Sequence, residues 1–151
     1  MGIRWISFSG SSKLHVIKLP LFENDDYLLT DKVSYRFREP QRGDVIIFKA
    51  PPSEPCSQEE CEYIKRIIGL PGEKIEIKES HYFINDKRLY EDYLPQNIET
   101  SPGTYLTAGK SVILGQDQYF VSGDNRTYSH DSRAFGPILK NAIIGKAWMR
   151  Y

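Results

Sequence analysis

The strongest constraint on the fold of this chain is that its apolar residues come in short runs, and helical periodicity is nowhere sustained over ten residues. One such run is Val45–Phe48, which is bounded by a Gly-Asp pair and a Pro-Pro pair. Four apolar residues between turn formers suit a buried strand better than a helix. Tyr27–Tyr35 is a second strand candidate, because it is rich in β-branched and aromatic residues. The sequence therefore predicts an all-β fold.

Residues 74–93 support the same prediction through a different pattern. Apolar and polar residues alternate along this stretch, which is typical of strands with one buried face. The tripeptide Asn85-Asp86-Lys87 interrupts the alternation and predicts a tight hairpin turn.

Length and charge restrict the classes of protein that this chain can belong to. A chain of 151 residues can bury one core, so a single domain is expected. The formal net charge is +0, with 20 basic and 20 acidic residues, which gives no electrostatic case for binding nucleic acid. No run approaches the roughly 20 apolar residues that cross a bilayer, and no signal peptide is visible.

Residues 119–137, YFVSGDNRTYSHDSRAFGP, hold the densest set of polar groups in the chain. Ser122-Gly123-Asp124-Asn125 supplies turn-forming residues after a short apolar run. Buried charges survive only when they are paired, and a serine beside such a network can orient a neighbouring base. From these residues alone two interpretations stay open, a buried polar network and a solvated hairpin loop.

Three sequence boxes resemble those of the type I signal peptidases, the membrane-bound serine proteases that use a Ser-Lys pair. Gly123–Gly136 reads GDNRTYSHDSRAFG and resembles the family signature GDNRxxSxDSRxFG. Arg42–Phe48 resembles the RGDVIVF strand, and Tyr63–Glu73 resembles the YIKRVIGLPGD box. Asn141–Trp148 resembles the closing strand of the family, and the whole resemblance runs from about Asp26 to the C-terminus.

The resemblance implies an architecture. It predicts antiparallel sheets of the signal peptidase or LexA-like Ser-Lys protease type, in one catalytic domain over residues 1–151. Residues 74–118 lie where the family carries a variable insertion, so a short β cap is expected there.

Lys65 is the predicted general base. An exposed lysine has a pKa of about 10.4 and is protonated at neutral pH, whereas burial disfavours the ammonium form and lowers the pKa. The apolar neighbours of Lys65 in the sequence fit such burial. The resemblance also assigns a structural ion network on the opposite face of the strand, formed by Arg66, Asp124, Asp131 and Arg133.

The nucleophile box is only half kept. Ser9-Gly10-Ser11 matches the start of the family pattern SGSMxPTL, with Ser11 in the place of the nucleophile and Ser9 in that of an oxyanion donor. Ser12 stands where the pattern has Met, and Pro20-Leu21 comes several residues late. A gapless count back from Pro20 puts Ile17 at the nucleophile position instead. Two hypotheses follow, an insertion after an intact Ser11 (or a register that uses Ser12) and a lost nucleophile.

The resemblance implies hydrolysis of one peptide bond in a secretory preprotein, after small residues. Ser11 would attack the carbonyl carbon, and neutral Lys65 would take its proton and later pass it to the leaving amine. Ser129 would hold the Lys65 amine in line, and Ser9 with the Ser11 N–H would bind the oxyanion. The peptide would bind extended, as an added strand at an open sheet edge, and no cofactor is required.

Two further hypotheses compete with this one. A catalytically inactive signal-peptide-binding module would keep the fold and the groove without an attacking oxygen. A LexA-like self-cleaving protease ranks below both, because no basic DNA-binding helix precedes the domain.

The expected location follows from the resemblance as well. Partners are preproteins and the membrane surface, the catalytic domain lies on the extracytoplasmic face, and the full-length form is expected to be anchored by a single membrane pass. A local disulfide between Cys56 and Cys61 is favoured in such an oxidising compartment, with two free thiols as the alternative. The histidines, His15, His81 and His130, lack metal-ligand spacing, so no metal is assigned.

Overall fold

The computed structural model describes the backbone of residues 6–7, 14–18, 27–31, 33–55 and 61–148, and the side chains from residue 30 onward within those ranges. Its elements are short strands, with one single-turn α-helix in the described part. In chain order the strands are β1 (Ile6–Ser7), β2 (Leu14–Lys18), β3 (Tyr27–Asp31), β4 (Val45–Lys49), β5 (Glu62–Gly69), β6 (Lys74–Lys78), β7 (His81–Ile84), β8 (Lys87–Arg88), β9 (Ser111–Ile113), β10 (Gln118–Ser122), β11 (Ile138–Leu139) and β12 (Ile143–Trp148), and α1 is Ser132–Phe135.

Eight strands form one antiparallel sheet in the order β1-β2-β3-β12-β4-β5-β10-β11. The neighbouring strands β4 and β5 come from the boxes Arg42–Phe48 and Tyr63–Glu73, and β10 lies at the start of the polar segment 119–137. The antiparallel all-β prediction is confirmed.

Strands β6 to β9 form a second antiparallel sheet in the order β8-β7-β6-β9, within the stretch 74–118 that was expected to form a cap. The turn between β7 and β8 is made by Asn85 and Asp86, whose φ angles are 49° and 68°. Two successive left-handed residues give the two-residue turn whose twist matches that of a hairpin. The predicted hairpin turn is present.

The strand predicted over Tyr27–Tyr35 is shorter in the structure. It ends at Asp31, whose Oδ1 accepts hydrogen bonds from the N–H groups of Val33 and Ser34, at 2.9 and 3.0 Å. An Asp side chain that bonds the backbone two and three residues on competes with the sheet ladder. A short 3₁₀ turn, Ser34–Arg36, follows in place of the predicted strand residues.

The apolar side chains divide into two main buried clusters, because successive residues of a strand point to opposite faces. Ile68 and Phe120 of the large sheet pack with the inner face of the second sheet, and Ile67 faces the other way. The first cluster is Ile68, Ile75, Ile77, Tyr82, Ile84, Leu106, Leu114 and Phe120, and the second is Ile46, Phe48, Ile67, Tyr119, Val121 and Ile138.

The loop that precedes β9 lies directly on the backbone of α1. A Cβ atom on Gly103 would stand 2.2 Å from the carbonyl oxygen of Arg133 and 2.5 Å from its carbonyl carbon. The N–H groups of Tyr105 and Leu106 donate to the same oxygen, at 2.9 and 3.0 Å. Glycine is therefore required at position 103 by this close approach of two backbones.

We expect Ile75→Ala to lower the free energy of unfolding by about 2–5 kcal/mol, because Ile75 is fully buried between the two sheets. Ile113→Ala is the matched control on the adjacent strand of the same sheet, where the side chain is 72% exposed. Its effect should stay within about 0.5 kcal/mol. Urea unfolding followed by circular dichroism measures both, and equal effects would contradict the assigned core.

Candidate active site

Lys65 lies in β5 with its side chain on the same face as Ile67, a fully buried member of the second cluster. Its cross-strand partner in β4 is Ile46, which is also fully buried. The aliphatic stem of Lys65 is thus flanked by apolar side chains, and the residue as a whole is half-buried.

Burial lowers the pKa of the Lys65 amine below its ordinary value of 10.5. The charge of Asp131 acts in the opposite direction and the charge of Arg133 in the same direction, both more weakly than burial. Among the described residues no carboxylate forms an ion pair with the amine, so the charge of Asp131 offsets the effect of burial only in part. The amine therefore releases its proton more readily than that of an exposed lysine.

Ser129 and Lys65 meet at Gly123. A Cβ atom on Gly123 would stand 2.1 Å from Ser129 Oγ and 3.6 Å from Lys65 Nζ, so both polar groups face the bare α-carbon of this glycine. Ser129 Oγ is buried, and it lies close enough to the Asp131 carboxylate to help lower the pKa of that group. A side chain at position 123 would displace the Ser129 hydroxyl from the neighbourhood of the amine.

The Asp131 carboxylate fixes the backbone next to this pair. It is fully buried and accepts a hydrogen bond from the Gly123 N–H at 3.0 Å and from Ser122 Oγ at 3.0 Å. Arg133 supplies its backbone N–H and two guanidinium N–H groups, with Nε 2.8 Å from Oδ1 and Nη2 2.9 Å from Oδ2. Burial raises the pKa of Asp131, but the bonds from Arg133 and Gly123 outweigh it and hold the pKa below its usual value.

Arg66 and Asp124 form a second, separate ion pair. The guanidinium binds the carboxylate through two bonds, Nε to Oδ1 at 2.8 Å and Nη2 to Oδ2 at 2.7 Å, and Nη1 donates to the Gly43 carbonyl at 2.8 Å. The ring of Tyr93 stacks 4.0 Å from the guanidinium carbon. Of the four charges predicted as one network, Arg66 pairs with Asp124 and Arg133 pairs with Asp131.

A family model described as signal peptidase, peptidase S26, matches residues 18–151. The chain belongs to this family. Among named relatives, it is 38% identical over 133 residues to "Signal peptidase I V" of Bacillus subtilis and 34% identical over 134 residues to "Probable signal peptidase I-2" of Synechocystis, covering 83% and 87% of this chain. It spans 75% of the first relative and 57% of the second.

A solved structure shows the same family at the level of the fold. The crystal structure of a signal peptidase I from Enterococcus faecalis matches with a TM-score of 0.57 and 30% sequence identity. The match covers 72% of this chain and 97% of that one.

The predicted nucleophile and its neighbours cannot be compared with this geometry. Ser9, Ser11 and Ser12 lie outside the described residues, and the family match begins after them, at residue 18. Their assignment stays a prediction. Cys61 is disulfide-bonded, and Cys56, the only other cysteine in the sequence, lies outside the described residues.

Arg126 lies in the polar segment 119–137, and its sequence context assigns it no role. In the structure it is buried and forms an ion pair with both oxygens of Glu91, a residue of the connection after β8. Its Nη1 also donates to Thr100 Oγ1 at 2.6 Å, and its Nε donates to the Gly123 carbonyl at 3.0 Å. The spacing of Arg126 and Glu91 in the sequence does not predict this pairing, because it depends on where the fold places the connection after β8.

A second group that the sequence analysis missed lies beside Lys65. The ring of Tyr63 is 5.9 Å from Lys65 Nζ, and its hydroxyl donates to Glu54 Oε2 at 3.4 Å. His130 Nε2 lies 2.6 Å from the same carboxylate oxygen, and its ring packs edge-on against Phe135. The loop that follows β4 is thus attached to the segment that carries Ser129.

Two further findings concern the described residues alone. No group of three His, Cys, Asp or Glu side chains there could hold a metal ion. No helix in that part of the chain has the length and apolarity to cross a bilayer.

Replacement of Lys65 by an apolar residue of similar length tests the burial of the amine. In the unfolded chain Lys65 keeps its proton up to a pH of about 10.5, whereas in the folded chain it loses the proton at a lower pH. The buried ammonium therefore lowers the free energy of unfolding at neutral pH, and this destabilisation disappears as the pH rises to about 10.5. We expect Lys65→Met to raise the free energy of unfolding at pH 7, with the gain shrinking toward pH 10.5.

The control is Lys87→Met, at an exposed lysine of β8, which should change stability little at any pH. Urea unfolding at a series of pH values measures both variants. A Lys65→Met effect that is independent of pH would show that the amine is not desolvated in the folded protein.

Proposed function

We propose that this chain is the catalytic part of a serine endopeptidase that removes signal peptides from secreted preproteins. The observation that carries the proposal is the half-buried Lys65 amine, which has no ion-pair partner among the described residues and faces Ser129 across Gly123. Its setting in a family of signal peptidases supports the same reaction. The domain would extend over residues 1–151, with residues 74–118 as its cap.

The reaction begins with Lys65 in its neutral form. As Ser11 Oγ attacks the carbonyl carbon of the scissile bond, Lys65 Nζ accepts the hydroxyl proton. The C–N bond then breaks, Lys65 returns that proton to the leaving amine, and the signal peptide remains as an ester on Ser11. A water molecule, deprotonated by Lys65 in its turn, hydrolyses the ester and releases Ser11 with its proton restored.

The supporting serines divide the remaining work. The buried hydroxyl of Ser129 is available to accept a hydrogen bond from the Lys65 amine and to aim its lone pair. Ser9 and the backbone N–H of Ser11 would stabilise the oxyanion, and the loss of one such donor typically lowers the rate by about 10²–10³-fold.

The substrate would bind as an extended strand along β5. The partner strand β10 pairs with β5 only from Arg66 onward, so in the described part Glu62–Lys65 have a partner on the β4 side alone. This open flank ends at Lys65, and an added peptide strand could bond the free backbone groups while its scissile carbonyl lies near the amine.

The alternative, an inactive peptide-binding module, draws no support from the comparisons, because the relatives named above are all called signal peptidases. Binding alone would also give no reason to keep a half-buried amine that has no ion-pair partner among the described residues, because its burial lowers stability.

The location proposed for this enzyme follows from the family, which is membrane-associated. We place the catalytic part on the extracytoplasmic face, with one membrane pass in the full-length form. The disulfide at Cys61 fits that compartment, because disulfides persist where the environment is oxidising.

Single substitutions decide the reaction and the nucleophile together. With a purified preprotein as substrate, Lys65→Met and Ser11→Ala should each lower kcat by at least about 10³-fold, since each removes a member of the catalytic pair. Ser12→Ala is the neighbouring control, and Ser9→Ala should cost less than Ser11→Ala. Full activity of Ser11→Ala together with loss in Ser12→Ala would move the nucleophile by one residue, and a wild-type chain that binds but does not cleave would refute the peptidase.

The pH dependence of cleavage tests the role of the amine. Because burial lowers the pKa of Lys65, kcat/KM should rise with pH along an acid limb whose midpoint lies below 10.5. A limb with a midpoint at or above 10.5, or a rate that falls as the pH rises toward it, would rule out Lys65 as the base.

A further inference from the structure

Three buried side chains connect the second sheet to the active site, and none of them belongs to the catalytic groups named above. The Tyr82 hydroxyl donates to Ser122 Oγ at 3.1 Å, and Ser122 Oγ donates in turn to Asp131 Oδ2 at 3.0 Å. All three residues are fully buried. Tyr82 lies in β7, whereas Ser122 ends β10, so the chain of bonds crosses from one sheet to the other.

The direction of these bonds follows from the donors and acceptors available. Asp131 accepts only, and the single hydrogen of the Ser122 hydroxyl is directed at it, so Tyr82 must be the donor of the first bond. Burial raises the pKa of Tyr82, which keeps its hydroxyl protonated at any pH at which the protein works. A hydroxyl that accepts one bond donates a stronger second bond, so Tyr82 strengthens the bond from Ser122 to Asp131.

The far end of this chain of bonds acts on the active site in two ways. Asp131 Oδ2 also holds the N–H of Gly123, the residue against which Ser129 and Lys65 both lie. In addition, the negative charge of Asp131 raises the pKa of Lys65. Any change in how Asp131 is held or screened therefore reaches the amine through position and through charge.

We propose that Tyr82 and Ser122 are positioning residues for the Ser-Lys reaction, through which the second sheet sets the geometry and the basicity of Lys65. This inference rests on the proposed function for its kinetic consequences only. Its structural consequence, a Lys65 amine that responds to the loss of a tyrosine hydroxyl in the other sheet, holds whether or not the chain cleaves preproteins.

The variants leave in place the other charged and aromatic side chains near Tyr82, Asp131 and Lys65. Arg133 binds Asp131, and the Arg126 guanidinium carbon lies 5.0 Å from the centre of the Tyr82 ring. Within the described residues the ring of Tyr63 is the aromatic group over the Lys65 amine, at 5.9 Å. None of these is altered by removal of the Tyr82 or Ser122 hydroxyl.

The decisive experiment compares Tyr82→Phe and Ser122→Ala with two matched controls at exposed positions, Tyr90→Phe and Ser111→Ala. The pKa of Lys65 is measured by NMR titration of lysine labelled with ¹³C at the ε-carbon, and the Lys65 signal is assigned by its loss in Lys65→Met. In both Tyr82→Phe and Ser122→Ala we expect this pKa to rise. Asp131 loses its bond from Ser122 in Ser122→Ala and keeps a weaker one in Tyr82→Phe, so in each case its charge is less well screened. The controls should match the wild type.

The kinetic arm uses preprotein cleavage. Tyr82→Phe removes one hydrogen bond between neutral groups and should lower kcat about three- to tenfold, with KM nearly unchanged and the acid limb of the rate profile displaced to higher pH. Ser122→Ala also removes the bond to the charged carboxylate, so its kcat should fall at least as far. The kcat of the double variant should be no lower than that of the less active single variant, since both substitutions act through Asp131. A purely structural role would lower the melting temperature without moving the pKa of Lys65.

A folded Tyr82→Phe protein with an unchanged Lys65 pKa overturns the positioning role. If Tyr82→Phe fails to fold, Ser122→Ala breaks the same connection from the side of β10 and is judged by the same two measurements. A wild-type chain that cleaves no preprotein, together with a Lys65 pKa that moves in both variants, refutes the proposed function and supports the positioning role.

Discussion

The buried carboxylate of Asp131 accepts hydrogen bonds from three residues, Ser122, Gly123 and Arg133, and receives five donated N–H and O–H groups in all. These bonds hold the end of β10, the turn after it and the start of α1 to one point. Because Gly123 is one of the three, the backbone on which Ser129 and Lys65 meet is fixed by this carboxylate. A fully buried charge is tolerated only with such complete pairing.

Asp131 and Lys65 are two ionisable side chains that the fold removes from solvent, and they differ in how their charges are paired. The carboxylate is fully compensated, whereas the amine has no ionic partner among the described residues. The two are linked through Arg133, whose charge opposes that of Asp131 at the amine. Because the charge of Arg133 opposes that of Asp131 at the amine, the ion pair favours the neutral form of Lys65 as well as the stability of the fold.

Much of the fold could be predicted from the sequence, since it follows from local patterns. The run Val45–Phe48 became β4, and the residues Asn85 and Asp86 made the predicted turn. The end of β3 at Asp31 was missed because the Asp31 side chain bonds the N–H groups of Val33 and Ser34, which ends the strand. The sequence does not show whether such an Asp side chain bonds the backbone. The family resemblance supplied Lys65 and Ser129, which composition and periodicity alone would have left among ordinary polar residues.

Two of the contacts that sequence reasoning missed join distant parts of the chain. Arg126 pairs with Glu91 of the connection after β8, and Tyr82 of one sheet bonds Ser122 of the other. Nothing in the sequence separation of such residues, 35 and 40 positions, indicates a contact. The partners within the predicted ion network, Arg66 with Asp124 and Arg133 with Asp131, were likewise set by the fold.

The close approach at Gly103 has a consequence for how this protein can vary. The residue lies in an outer loop, where insertions and substitutions are usually tolerated. Here the loop rests on the Arg133 carbonyl with no room for a methyl group, and Arg133 in turn holds Asp131. A substitution at this loop position would therefore shift the backbone of Arg133 and, through it, the pairing of the buried Asp131 carboxylate.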